Sequence, residues 1–202
     1  MKNKGLMIGC GAGALVVVII VGIIMWGVGV YNNIVTSEEN VNQTWSQVQN
    51  QYQRRSDLIP NLVNTVKGVA GFEKETYTAV TEARAKVGQI QINANDLSNP
   101  ELFRQFQAAQ DGLSSALSRL LVTVENYPQL KANENFLQLQ AQLEGTENRI
   151  SVERRNFNMA VQSFNTYIRR FPANFVANFS GFKEKQYFQA APGTEEAPKV
   201  EF

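Results

Sequence analysis

The sequence predicts an all-α protein: an N-terminal transmembrane helix, then an antiparallel up-down four-helix bundle with long helices, then a short aromatic-rich C-terminal segment. Three observations carry this. Gly5 to Val30 is an uncharged apolar run, and no charge appears between Lys4 and Glu38. After it, apolar residues recur three or four apart over four long stretches, the spacing of helices buried on one face. Alternation of the strand type is nowhere sustained. The expected segments are 1–31 for the anchor, 32–172 for the bundle and 173–202 for the aromatic segment with a partly flexible tail.

The anchor comes first. A hydrocarbon layer about 30 Å thick takes roughly 20 apolar residues in helical form, and this run exceeds that. It is also longer than the roughly 7–15 apolar residues of a cleaved signal peptide. Met7-Ile8-Gly9-Cys10 places a small residue before a cysteine, as a lipidation site does, but the apolar segment follows Cys10 rather than preceding it. The reading is a retained signal anchor. Lys2 and Lys4 precede the span, while Glu38 and Glu39 follow it and no basic residue appears before Arg54. The positive-inside rule then holds the N-terminus in the cytoplasm of a bacterial cell and sets the bundle outside its inner membrane. Trp26 and Tyr31 suit the second interface. Gly5, Gly9 and Gly13, four apart, suit helix–helix contact in the membrane.

Beyond the span, Ile34, Val41, Trp45, Val48 and Tyr52 mark a first helix ending near Ser56-Asp57-Leu58-Ile59-Pro60. Ser56 or Asp57 is suited to cap a second helix, with Pro60 in its first turn, where no N–H is needed. That helix runs from about Leu58 to Ile92, with Gly68 and Gly71 as places for a bend or close packing. Asn93 to Pro100 is a polar connection. Asn99-Pro100-Glu101 opens a third helix with the stripe Leu102, Phe106, Leu113, Leu117, Leu120, Val124 and Tyr127, which Pro128 ends. A fourth begins near Asn133, carries Phe136, Leu139, Leu143, Ile150, Phe157, Val161, Phe164 and Ile168, and stops at Pro172. Phe171, Phe175, Phe179 and Phe182 then recur four, four and three apart. This stripe either folds back to cap the bundle or docks on a partner or the membrane interface. Thr194 to Pro198 reads as a solvated tail, with Val200 and Phe202 able to pin its end.

The composition excludes much chemistry. The formal net charge of +1 leaves no basic face for nucleic acid. There is no histidine, and the single cysteine, Cys10, lies in the apolar run. Ser-His-Asp and Cys-His catalysis, HExxH zinc sites and ExxH di-iron sites therefore have no residues to build on. No catalytic, cofactor-binding or metal site is expected. The carboxylate pairs Glu73/Glu75, Glu144/Glu147 and Glu147/Glu153 read as solvated faces and ion pairs. One cluster stands out. Arg54, Arg55 and Asp57 lie at the first junction, and Glu144, Glu147 and Arg154 lie on the fourth helix, with Glu147 and Arg154 close to its buried stripe. A charge near a bundle core must be paired, so these six form an expected inter-helix ion-pair network.

The same stretches resemble the LemA family. Arg54-Arg55-Ser56-Asp57-Leu58-Ile59-Pro60-Asn61-Leu62 is similar to its signature segment. Asn126-Tyr127-Pro128-Gln129-Leu130 and Leu143-Glu144-Gly145-Thr146-Glu147-Asn148-Arg149-Ile150 are similar to later blocks, as are Tyr31-Asn32-Asn33, Trp45-Ser46-Gln47 and Pro198-Lys199-Val200-Glu201-Phe202. The resemblance covers nearly the whole chain. It implies a transmembrane helix followed by a helical bundle without established enzymatic activity, and a magnetosome-associated branch implies work in membrane organisation. It also implies a short N-terminus outside the cell, the reverse of what Lys2 and Lys4 indicate.

Three functions follow as expectations. The first is a non-enzymatic membrane-anchored scaffold that binds an unidentified protein partner or itself. The second is an extracytoplasmic small-ligand sensor, in which Arg54, Arg55 or Arg149 holds a carboxylate and a separate transducer carries the signal. The third is a membrane-remodelling protein whose Phe171–Phe188 segment inserts at the interface.

Overall fold

A computed structural model describes residues 3–69 and 71–189, and side chains from 15 onward together with residue 13. The expected tail from Thr194 to Pro198, the pinning residues Val200 and Phe202, and the packing of Gly5, Gly9 and Cys10 lie outside the described residues and side chains. The elements are α1 (Asn3–Lys67), α2 (Lys74–Gln89), a 3-10 turn (Ala94–Ser98), α3 (Pro100–Val124), α4 (Pro128–Lys131), α5 (Glu134–Arg169) and α6 (Ala173–Ser180). All described regular structure is helical.

The first helix does not stop at Ser56–Pro60. It runs unbroken to Lys67 with Pro60 inside it. Proline has no N–H, so the carbonyl of Ser56, four residues back, loses its partner in the helix ladder. Arg84 of α2 supplies the replacement, its Nε donating to the Ser56 carbonyl at 3.0 Å. The expected second helix is in turn divided. α1 ends at Lys67, and Gly71 adopts a φ of +83°, in the left-handed region where a Cβ is costly. Tyr127 Oη donates to the Gly71 carbonyl at 2.9 Å and holds this turn. The bundle helix that follows is the shorter α2.

The other boundaries follow local chemistry. Asn99 Oδ1 accepts from the amides of Glu101 and Leu102, with Pro100 at the first helical position of α3. Asn133 Oδ1 accepts from the amide of Phe136 to open α5. Pro128 does not merely follow α3 but starts α4.

The chain forms two compact units, Met1–Asn40 with Gln162–Glu184, and Val41–Val161 with Lys185–Phe202. These do not follow the consecutive segments 1–31, 32–172 and 173–202, because α1 and α5 each give residues to both. In the first unit Val30, Ile34, Phe164, Ile168, Ala173 and Ala177 are buried, and Phe182 packs on Tyr31 and Phe164 at ring separations of 5.8 and 6.5 Å.

The second unit contains the up-down-up-down bundle. Trp45 meets Phe103 and Arg55 meets Gln110, so α1 and α3 run the same way; Trp45 meets Phe157 and Arg55 meets Glu147, so α5 runs against them. Lys67 over Tyr77 and Ser56 with Arg84 set α2 against α1. Along the bundle lie an aromatic layer, a polar layer at Arg55, and an aliphatic layer that includes Ile59, Leu62, Val66, Val80, Leu113, Leu120, Leu130 and Leu143. The aromatic layer is closed from outside the four helices by Phe188. Its ring lies 5.0 Å from Phe103, 5.5 Å from Phe157 and 6.1 Å from Trp45. Side-chain amides hold this extended segment where no strand is available. Asn158 pairs both the amide and the carbonyl of Phe188 at 2.9 Å, and Gln107 pairs the amide and the carbonyl of Gln189 at 3.2 and 2.7 Å.

Two outcomes follow. Arg84→Ala should cost about 1.5–3 kcal/mol, the worth of one hydrogen bond from a charged donor, and should cost much less when Pro60→Ala restores the missing N–H. Simple additivity in thermal unfolding of the four chains would disprove the substitution of Arg84 for that N–H. Phe188→Ala should destabilise by about 3–5 kcal/mol, as removal of a buried aromatic ring does, read as a loss of unfolding midpoint in denaturant.

Candidate functional site: a buried arginine layer

From Val41 onward the buried stripe of α1 is Val41, Trp45, Val48, Tyr52, Arg55, Ile59, Leu62 and Val66, alternating four and three apart, with Val63 buried beside it. Arg55 therefore occupies a core position of a heptad and is fully buried. On α3 the series Phe103, Phe106, Gln110, Leu113, Leu117, Leu120 and Val124 keeps the same rhythm, and Gln110 is its polar member. The two meet. Arg55 Nη2 donates to the side-chain oxygen of Gln110 and, at 3.4 Å, to its backbone carbonyl. Nη1 donates to Ser114 Oγ and to Glu147 Oε1, each at 2.7 Å. One guanidinium thus ties α1, α3 and α5 together. Its Nε is buried with no hydrogen-bond partner.

A second charged group lies one layer away. Arg154 of α5 donates from Nε to Tyr52 Oη at 2.6 Å and from Nη2 to Asp111 Oδ1 at 3.1 Å. Its guanidinium also lies 4.9 Å from the centre of the Phe188 ring. The Tyr52 ring is flanked by both arginines, with Arg55 at 5.2 Å and Arg154 at 5.6 Å. Burial holds the Tyr52 hydroxyl above its ordinary value of 10.0, and the two arginines only partly oppose that. For Arg154 burial acts against the charge, yet Tyr52 and Asp111 outweigh it and raise the group above its ordinary value. Arg154 therefore stays a cation.

The six residues expected to form one network do not all do so. Arg55 and Glu147 form its centre, and Arg154 stands beside them through Tyr52 and Asp111. Asp57 instead accepts from Gln53 at 2.8 Å and Glu144 from Gln140 at 2.9 Å, each a contact along its own helix. Arg54 is exposed and forms no ion pair among the described residues. Arg54 and Asp57 stand on outward positions because α1 continues through the expected junction, which fixes the side each faces, and Glu144 lies on the exposed side of α5. Gln110, Asp111 and Ser114 were missed. The available signal was a glutamine at a heptad core position of an otherwise apolar stripe.

The Phe stripe also differs from a cap. Phe171, Phe175 and Phe179 are exposed, by 80%, 64% and 96%, and only Phe182 is tucked in. A helix this short buries one side, and α6 buries Ala173 and Ala177. The arrangement as a whole fixes helices. Arg55 spends its Nη donors on Gln110, Ser114 and Glu147, which leaves a ligand carboxylate little to bind there. Among the described residues no group of three or more metal-ligating side chains converges.

Comparison with known proteins adds a lineage. The defining pattern of the LemA family matches residues 44–202. The chain is 27% identical over 181 residues to magnetosome protein MamQ 2 of Paramagnetospirillum magneticum, covering 80% of this chain and 65% of that protein. It is 28% identical over 164 residues to protein LemA of Metamycoplasma hominis, covering 81% of this chain and 71% of that protein. The chain therefore spans just under two thirds of the magnetosome relative.

Glu147→Ala should destabilise by about 2 kcal/mol, less than the 3–5 of a fully buried pair because the Glu147 side chain is 39% exposed. Joint replacement Arg55→Met, Gln110→Leu, Glu147→Met should recover most of that loss, since an apolar layer needs no partners; denaturant unfolding of the detergent-solubilised chain separates the two. The raised Tyr52 hydroxyl stabilises the fold fully below pH 10 and loses that contribution as pH rises through its folded-state value, because the unfolded chain releases the proton first. Melting temperatures above pH 10 should therefore fall more steeply for the parent chain than for Tyr52→Phe.

Proposed function

The chain belongs to the LemA family, and from that premise we propose that it is a non-enzymatic, single-pass membrane protein whose helical domain is a scaffold for a protein partner. One observation carries the reading. From Leu15 to Val28 the large apolar side chains of α1 are 45–71% exposed, which water would not tolerate over several turns. This is the stretch of the described chain long and apolar enough to cross a membrane.

Absence of catalysis is supported by the state of the polar groups. Arg55, Arg154, Glu147 and Asp111 are committed to one another or to Tyr52, Gln110 and Ser114, an arrangement that fixes packing rather than one open to a substrate. The names of the magnetosome relatives support work on an assembly rather than on a metabolite. Lys4 before the span and Glu38 and Glu39 after it support a bundle outside the cytoplasm of a bacterial inner membrane.

Topology tests the orientation. In a Cys10→Ser background, Val122→Cys places a single thiol at a position 65% exposed on α3. A membrane-impermeant maleimide should label it in intact cells; labelling only after lysis would place the bundle in the cytoplasm. Crosslinking in intact membranes should then give discrete adducts of defined mass. A monomer with no specific adduct would count against the scaffold.

A further inference from the structure

α6 has its amphipathicity inverted. A short helix in water buries its large apolar residues and exposes its small ones, whereas α6 buries Ala173 and Ala177 and exposes Phe175 and Phe179. Phe171, just before it, is exposed as well and stacks edge-on against Phe175 at 5.9 Å. These rings are not scattered. Phe175, Val176 and Phe179 form one wall of a shallow apolar groove whose other wall is Ile24, Val28 and Tyr31 of α1. Below the groove the Tyr31 and Phe182 rings meet.

The level of that wall is set by the span. Counting about 20 helical residues on from Lys4 brings the edge of the hydrocarbon near Ile24, and Trp26 and Tyr31 are the residue types that favour the headgroup level beyond it. Any bilayer that receives Ile24 and Val28 therefore meets Phe175 and Phe179 at the same depth. The flanks fit a lipid surface. Arg169 and Arg170 precede α6 and Lys183 follows it, all exposed, with Glu184 near Arg169 at 3.8 Å as the local acid.

We propose that α6 is an interfacial anchor: Phe171, Phe175 and Phe179 insert among the lipids beside the exit of α1, with Arg169, Arg170 and Lys183 on anionic headgroups. The occupant of the groove is acyl chain rather than protein. This rests on the reading of α1 as a membrane span, and the test keeps the two apart.

The full chain, with Cys10→Ser, is labelled with an environment-sensitive nitrobenzoxadiazole fluorophore at Phe179→Cys or, separately, at Val18→Cys within the span. Each is reconstituted in phosphatidylethanolamine–phosphatidylglycerol vesicles carrying nitroxide lipids. The expected result is blue-shifted emission at both positions, quenched by the lipid nitroxides, with position 179 quenched best by a nitroxide near the headgroups. Quenching at 18 combined with iodide access at 179 would overturn the interfacial anchor and leave the span standing. Quenching at 18 with emission at 179 that is blue-shifted but reached by neither quencher would assign the groove to protein, a second copy included, and overturn the lipid reading. Lack of lipid quenching at both positions would remove the span itself, and the proposal with it.

Discussion

A guanidinium at a core position of a helical bundle can persist only if neighbouring helices bring it acceptors. Arg55 imposes that condition on this fold. Its acceptors come from α3 and α5 at single positions, Gln110, Ser114 and Glu147, so the three helices have one mutual register in which the charge is satisfied. Aromatic and aliphatic layers on either side are less exacting, because an apolar ring or branch accepts many neighbours. Sliding any of these helices by a turn would keep apolar residues in contact and still strand the arginine. The polar layer therefore contributes specificity more than stability.

The same logic operates on the backbone. At Pro60 the ladder of α1 lacks a donor, and a side chain from another helix fills it. At Phe188 and Gln189 a segment without regular structure finds both its donors and its acceptors in the amides of Asn158 and Gln107. Buried peptide groups are almost always paired, and here long polar side chains do the pairing that helix or sheet would otherwise do. The abundance of Asn and Gln in this chain has that local use.

Much of the architecture was legible because it rests on periodicity and capping. The α3 start was readable at Asn99-Pro100-Glu101, and the all-α class followed from the 3/4 rhythm. What was hidden depended on partners far away in sequence. Pro60 after Asp57 looks like a helix start unless Arg84 is known to stand beside Ser56. Arg55 and Gln110 look like surface residues unless one counts heptads through them. Arg54 and Asp57 were grouped with Arg55, and Glu144 with Glu147, by proximity along the chain, yet a helix turns successive residues through about 100°, so adjacency says little about shared faces. Phe171, Phe175 and Phe179 read either as a cap, because dense aromatics are usually buried, or as a docking stripe, and the structure buries their alanine neighbours instead.

The placement of Phe188 has a consequence in time. Chains are made from the N-terminus, so the apolar part of α1 is complete long before residue 188 exists. Once α5 has been made and until that ring arrives, Trp45, Phe103 and Phe157 lack the ring that completes their layer, and neither Asn158 nor Gln107 has its backbone partner. The aromatic layer therefore stays incomplete until after α6 has been made, long after the apolar part of α1. The order of synthesis thus makes the closing of that layer the last packing step open to the described chain.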